Sequence, residues 1–171
     1  MDHVRCLFPL SCKTRANRIT DYKALTTVIN TICAEGHWMR TTRFQPTVAW
    51  EHALAEPDCP CHLLLVASDG ERPVGWCRLF STAVPGEAEL GIGLLPPYRE
   101  RGIGTAMIQR SLRWACERSL TRLTLTTHDD NHRAIHVFEK CGFSPTGRRE
   151  GEWIEMELML PNVEARSHCC E

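Results

Sequence analysis

Seven residues, Arg99-Glu100-Arg101-Gly102-Ile103-Gly104-Thr105, join an extended apolar segment to a helical one and narrow what this chain can fold into. The segment before them, Glu89-Leu90-Gly91-Ile92-Gly93-Leu94-Leu95, is stopped by Pro96-Pro97, because proline has no N–H to continue a ladder. Two glycines at a strand-to-helix turn let the backbone approach a ligand closely and aim free amides at it. The helix N-terminus adds about half a positive charge, so the turn is expected to grip a phosphate-bearing anion. Beyond it, Ile108, Leu112, Ala115 and Cys116 recur at helical spacing, and Leu123-Thr124-Leu125-Thr126-Thr127 reads as a β-branched strand. Strand, helix and strand make a βαβ unit, so the two strands should be parallel.

The flanking segments predict an α+β domain with antiparallel strands before the crossover. Thr20 is placed to cap a helix burying Ala24, Leu25, Val28, Ile29, Ile32 and Cys33, which stops near Gly36. A second helix is expected from Thr47, burying Trp50, Ala53 and Leu54. The bulky, charged loop between them, Gly36 to Phe44, has the composition of a binding surface. His62 to Ala67 and Val74 to Leu79, separated by Ser68-Asp69-Gly70-Glu71, read as a hairpin. A helix from about Asn131 to Lys140 ends at Gly142. Trp153 to Leu160 alternates as a last strand, Arg148-Arg149 before it reads as a solvated turn, and His128-Asp129-Asp130 as a polar loop at a strand end.

With 171 residues the chain has room for one domain, expected over 1–161, followed by a polar tail at 162–171. A net charge of −1 supplies no basic field for nucleic acid or an anionic membrane, so neither is expected as a partner. No apolar run is long enough to cross a membrane, and the first residues lack the pattern of a signal peptide; a cytoplasmic location is expected. Of 10 cysteines, Cys33, Cys77, Cys116 and Cys141 fall in apolar patterns and are expected as buried thiols. Cys59-Pro60-Cys61-His62 and His168-Cys169-Cys170 lack zinc-site spacing, so no metal is expected. Gly91-Ile92-Gly93 is not a dinucleotide fingerprint, since Pro96 takes the third glycine's place, and no Gly-Lys-Ser/Thr completes a P-loop.

Two segments in order resemble the GNAT N-acetyltransferase superfamily. Arg99-x-x-Gly102-x-Gly104 is similar to its acetyl-CoA motif, and Asn131-x-x-Ala134-Ile135, closing on Gly142-Phe143, is similar to its second signature. The resemblance, from about Ile19 to Leu160, implies a mixed central sheet, flanked by helices, whose two parallel strands splay around acetyl-CoA as cosubstrate. It implies that backbone groups at Ile92, Gly93 and Leu94 meet the pantetheine arm, and that a Leu94 N–H polarises the thioester carbonyl. The cradle from Arg99, Glu100, Arg101, Gly102 and Ile103 to Gly104 and Thr105 would take the pyrophosphate, with Asn131 on the pantetheine side. Nearest are the phosphinothricin-type and small-molecule amine acetyltransferases, similar in carrying a glutamate where this chain has Glu89 and an aromatic loop leading into Pro46-x-x-x-Trp50.

On this reading Glu89 is the general base that frees an amine of its proton, and Glu35, His37 and Phe44 border the acceptor. Where many members carry a tyrosine acid, this chain has Phe138, which cannot donate a proton and is expected to wall the pantetheine. Tyr98, His136 or water could take over that role. The expected function is acetyl transfer to a primary amine, on a small molecule or peptide, by direct attack, in a monomer or homodimer. A catalytically weak acyl-CoA-binding or sensor domain is the alternative that Phe138 suggests, and an enzyme for another phosphate-bearing ligand a third.

Overall fold

A computed structural model describes residues 12–161. The elements in order are β1 (Cys12–Ala16), α1 (Tyr22–Cys33), α2 (Val48–Ala55), β2 (His62–Asp69), β3 (Arg72–Ser81), β4 (Glu87–Leu94), α3 (Ile103–Glu117), β5 (Arg122–His128), α4 (His132–Lys140), β6 (Ser144–Glu150) and β7 (Trp153–Met159). The seven strands form one sheet in the order β1-β2-β3-β4-β5-β7-β6. Among the described residues, only β4 and β5 pair in parallel. The fold is the mixed α+β sheet that the sequence implied. The tail at 162–171 and His168-Cys169-Cys170 lie outside the described residues.

The entry to α1 differs from expectation. Ile19–Asp21 forms a 3-10 turn, and Asp21 rather than Thr20 precedes the helix. The Asp21 carboxylate accepts the Arg18 amide at 2.8 Å and both Arg15 guanidinium nitrogens at 2.7 and 2.8 Å. Helix α2 begins where expected, just after Thr47, which caps it by accepting from the Trp50 amide. The hairpin forms across Gly70-Glu71, with Asp69 opposite Arg72. Two strands were not foreseen: β1, and β6, which contains Arg148 and Arg149 where a turn was expected.

Each sheet face has its own core. Leu90, Leu123, Leu125 and Met156 pack under α3 and α4 against Met107, Ile108 and Phe138. On the opposite face Leu64, Val66, Trp76 and Phe80 pack under α1 and α2 against Leu25, Ile29, Trp50 and Leu54. Alternation along each strand sends successive side chains to opposite faces, which is how one sheet serves both.

The site lies where the sheet comes apart. The pairing of β4 with β5 covers only Glu87 to Glu89, ending with Glu89 beside Thr124. Leu95 N–H donates to the Val74 carbonyl at 2.9 Å, and Thr82 N–H to the Glu87 carbonyl at 3.1 Å. Along an antiparallel ladder this makes the odd-numbered residues of β4 turn N–H and C=O towards β3, and Leu90, Ile92 and Leu94 turn theirs towards β5. Past Thr124, β5 has diverged, so Ile92 and Leu94 present backbone groups to an open fork.

Arg122 fastens the closed end of that fork. It reaches Glu87 on β4 at 2.6 Å and Glu157 on β7 at 2.6 Å, with Glu155 at 3.8 Å. Glu87 is buried, so Arg122→Met would leave its charge without an ion-pair partner, held only by the Thr82 hydroxyl at 3.0 Å. We expect a loss of about 2–3 kcal/mol, read as a melting temperature lower by roughly 5–10 °C. A shift within 1–2 °C would show that the cluster holds nothing together.

Candidate active site

A cavity of about 510 Å³ follows the fork, lined by β4 from Glu89 to Leu94, the α3 entry, the α4 N-terminus and the loop after α1. Its size and mainly apolar lining suit a bound small molecule.

At the α3 end of the cavity, Gly102 caps α3 in a left-handed conformation, φ +81°, that side chains rarely adopt. The first helical hydrogen bond is from Ala106 N–H to the Gly102 carbonyl at 3.0 Å. The amides of Ile103, Gly104 and Thr105 therefore have no helical acceptor. Glu100, Gly102, Gly104 and Thr105 line the cavity; the Ile103 side chain is buried in the core, and Arg101 is exposed. Glu100 also has positive φ, 58°, and reaches Arg133 at 3.6 Å.

Arg99 lines the same cavity and is also a clamp. Its Nε donates to the Leu94 carbonyl at 2.9 Å and its two terminal nitrogens to the Glu35 carboxylate at 3.0 and 2.5 Å. This bidentate pair ties the end of β4 to the turn after α1, and it occupies Glu35, expected as a substrate residue. Arg99 engages the Leu94 carbonyl and leaves the Leu94 N–H facing the fork with that of Ile92.

Ile92 and Leu94 have the backbone orientation expected of them; Gly93 does not. Its N–H and C=O turn to Trp76 in β3, opposite which it sits. Gly93 contributes space: a Cβ there would run into the Trp76 ring, with three ring carbons at or inside 2.9 Å.

Glu89 stands where parallel pairing ends, on the face towards α1 and α2, and lines the cavity. Arg78 Nη2 donates to its Oε1 at 2.7 Å. Arg78 lies over the Trp50 and Phe80 rings, at 5.8 and 4.7 Å from their centroids, and so fixes the carboxylate's direction. Sequence reasoning missed Arg78; it stands 11 residues before Glu89, and only the β3–β4 turn makes them neighbours. Phe44 lines the cavity edge-on to Trp50, at 5.1 Å between centroids.

Asn131 lines the cavity and caps α4, its Oδ1 accepting the Ala134 amide at 3.3 Å. Its Nδ2 remains available to donate. Phe138 also lines the cavity, edge-on to Phe143. Neither protein candidate for the missing acid is placed for it. The Tyr98 hydroxyl donates to Asp69 at 2.7 Å, and His136 is exposed on α4.

Residues 26–143 match the model of the Acetyltransferase (GNAT) family. The chain belongs to this family. Among relatives of this GNAT chain, the peptidyl-lysine N-acetyltransferase YjaB of Salmonella typhimurium is 28% identical over 107 residues, 63% of this chain and 66% of the relative. Streptothricin acetyltransferase A of Bacillus subtilis is 36% identical over 52 residues, 30% of each chain. The matches span 26–66% of the length of the curated relatives. A phosphinothricin acetyltransferase of Sinorhizobium meliloti, solved with acetyl-CoA, superimposes with TM-score 0.71 at 18% identity, covering 88% of this chain and 89% of that one. A GNAT acetyltransferase of Streptococcus pneumoniae gives 0.73 at 17%, covering 87% and 99%. Among the described residues, no helix of this GNAT chain is long and apolar enough to cross a membrane.

Beside the main cavity, and sharing Met39, Arg40 and Trp153 with it, is a smaller polar one of about 350 Å³ containing His37, His128, Asp130 and Glu152. His37 is held by Asp130 at 2.9 Å and lies over the His128 ring at 4.7 Å. Burial disfavours the charged form of His128, but Glu152 at 3.2 Å and Asp130 at 2.6 Å outweigh it, and the pKa is raised. A raised folded-state pKa makes the protonated form the stabilised one. Its contribution is complete below the unfolded value of about 6.5 and is lost as pH rises through the folded value. The melting temperature should therefore fall with pH above about 6.5, and His128→Asn should flatten that slope; identical slopes would remove His128 as the cause.

Proposed function

We propose that this chain is an acetyl-CoA-dependent N-acetyltransferase that acts on a primary amine by direct attack. The observation that carries the proposal is the fork: Leu94 N–H, Glu89 and the α3 N-terminus border one cavity in the order that a CoA thioester and an attacking amine require. The residues fit the cosubstrate. Amides at Ile103 to Thr105 would hold its pyrophosphate, Ile92 and Leu94 backbone groups and the Asn131 Nδ2 its pantetheine, and Phe138 would wall that arm. Bound there, acetyl-CoA supplies an acyl group already activated as a thioester.

The chain's own groups do the rest. An amine is mostly protonated near neutral pH, and Glu89, aimed by Arg78, takes its proton directly or through one water. The Leu94 N–H, with no strand partner at the fork, donates to oxygen where negative charge grows; such a donor is worth about 3 kcal/mol. Phe138 supplies no proton, and a thiol with a pKa of roughly 8.5 can leave towards water.

The similarity to peptidyl-lysine, streptothricin and phosphinothricin acetyltransferases supports an acceptor amine on a peptide or small molecule. A thiol-release screen with acetyl-CoA over amine classes tests activity and acceptor together. Release above background with at least one class supports the proposal. Thermal stabilisation by acetyl-CoA with no release from any amine would favour the binding or sensor domain that Phe138 suggests.

A further inference from the structure

Away from the cleft, the end of α2 and the start of β2 bring together two imidazoles and two thiols, all able to ligate a metal: His52, Cys59, Cys61 and His62. Their donor atoms all lie within 4.8 Å of one another. We infer that these four residues form a structural binding site for a zinc ion.

Cys59-Pro60-Cys61-His62 by itself lacks the spacing of a zinc motif, because the fourth donor comes from another element. His52 sits in the last turn of α2. Two successive turns, Glu56 N–H to the His52 carbonyl at 2.8 Å and Cys59 N–H to the Glu56 carbonyl at 3.1 Å, fold the chain back beneath it. The returning loop is held from outside: Arg118 Nε donates to the Pro60 carbonyl at 3.2 Å, and Ser81 Oγ to the Cys61 carbonyl at 3.4 Å. The donors are thus brought together by backbone contacts that need no ion.

The distances suit a tetrahedral ion. Thiolate and imidazole donors about 2.3 and 2.0 Å from zinc stand roughly 3.5 Å apart. Cys61 Sγ is 3.4 Å from His52 Nε2 and 3.5 Å from His62 Nδ1. The two sulfurs, at 2.7 Å, are closer than zinc would hold them, and small side-chain rotations at these unburied cysteines separate them. His62 is 6% exposed, and its Nε2 has no hydrogen-bond partner. The nitrogen that the ion would take is Nδ1, the one facing Cys61.

No carboxylate belongs to the donor set, which disfavours calcium and magnesium and suits zinc. Four protein ligands leave no open position, as in structural rather than catalytic sites. Binding forms two Zn–S and two Zn–N bonds and releases both thiol protons, leaving the ion and two thiolates neutral together. The clip would fasten α2, which carries the cavity residue Trp50, to the strand beside β3.

The full reduced chain should take up one equivalent of cobalt(II), with thiolate-to-cobalt charge-transfer and intense tetrahedral ligand-field bands that zinc then bleaches. Zinc should raise the melting temperature. The Cys59→Ser/Cys61→Ser variant should lose the charge-transfer band, and His52→Ala the intense tetrahedral bands. Both variants should keep wild-type circular dichroism and acetyl-CoA binding. The proposal is overturned if no charge-transfer band forms, or if it survives in the double variant and so belongs to other cysteines. It is equally overturned if the chain purified without reductant contains no zinc and a Cys59–Cys61 disulfide.

Discussion

Glu89→Gln is expected to lower turnover by about a hundred- to ten-thousand-fold, the usual contribution of a positioned general base. The substitution keeps shape, and the glutamine carbonyl can still accept the Arg78 hydrogen bond, so the geometry of the site should survive. What disappears is the ability to take a proton at the point where β4 and β5 separate. Acetyl-CoA binding, which on the proposed reading rests on the α3 amides and the fork backbone, should change by less than about twofold. Thiol release measures the first quantity and calorimetry the second. Equal losses in both would assign Glu89 to cosubstrate binding and remove it as the base.

Gly93→Ala should be the most damaging small change in the cleft. The new methyl would meet the Trp76 ring, which is 1% exposed and wedged against Trp50 at 6.3 Å between centroids. Overpacking of this kind costs about 1–3 kcal/mol, a fall of roughly 3–10 °C in melting temperature for a domain of this size. Gly104→Ala is the control. Its added carbon would find only Ile92 and Leu94 methyls at 3.8 Å, and alanine favours a helix over glycine. Scanning calorimetry should show the first variant lowered and the second unchanged or raised. Matching melting temperatures would mean that Trp76 yields at little cost.

The parts of the fold legible in the sequence are those that local chemistry dictates. Proline stops β4, Gly102 opens α3, a helix starts at Asn131, and Gly70 turns the hairpin, each through the residue's own local chemistry. Strand β6 was hidden because Ser144-Pro145-Thr146-Gly147-Arg148-Arg149-Glu150 has no apolar alternation; it lies at the sheet edge, where one partner, β7, suffices. Strand β1, at the other edge, exists through its pairing with β2, more than 45 residues on. The same limit applied to the candidate site. The partners of Glu35 and His37, Arg99 and Asp130, are 64 and 93 residues away and so could not be read locally. The four-residue cluster at the end of α2 escaped notice because His52 sits outside the Cys-Pro-Cys-His run.

The two cores carry a consequence for how such a molecule can change. On the proposed reading the grip on the cosubstrate is built over the face packed with α3 and α4, whereas Trp50, Phe44 and Arg78 belong to the face packed with α1 and α2. Leu95 is the partly buried residue packed against both. Substitutions on separated faces with few shared neighbours act nearly independently. The acceptor wall can therefore be rewritten residue by residue while donor affinity stays put, so one inherited half of the sheet can serve a succession of different amines.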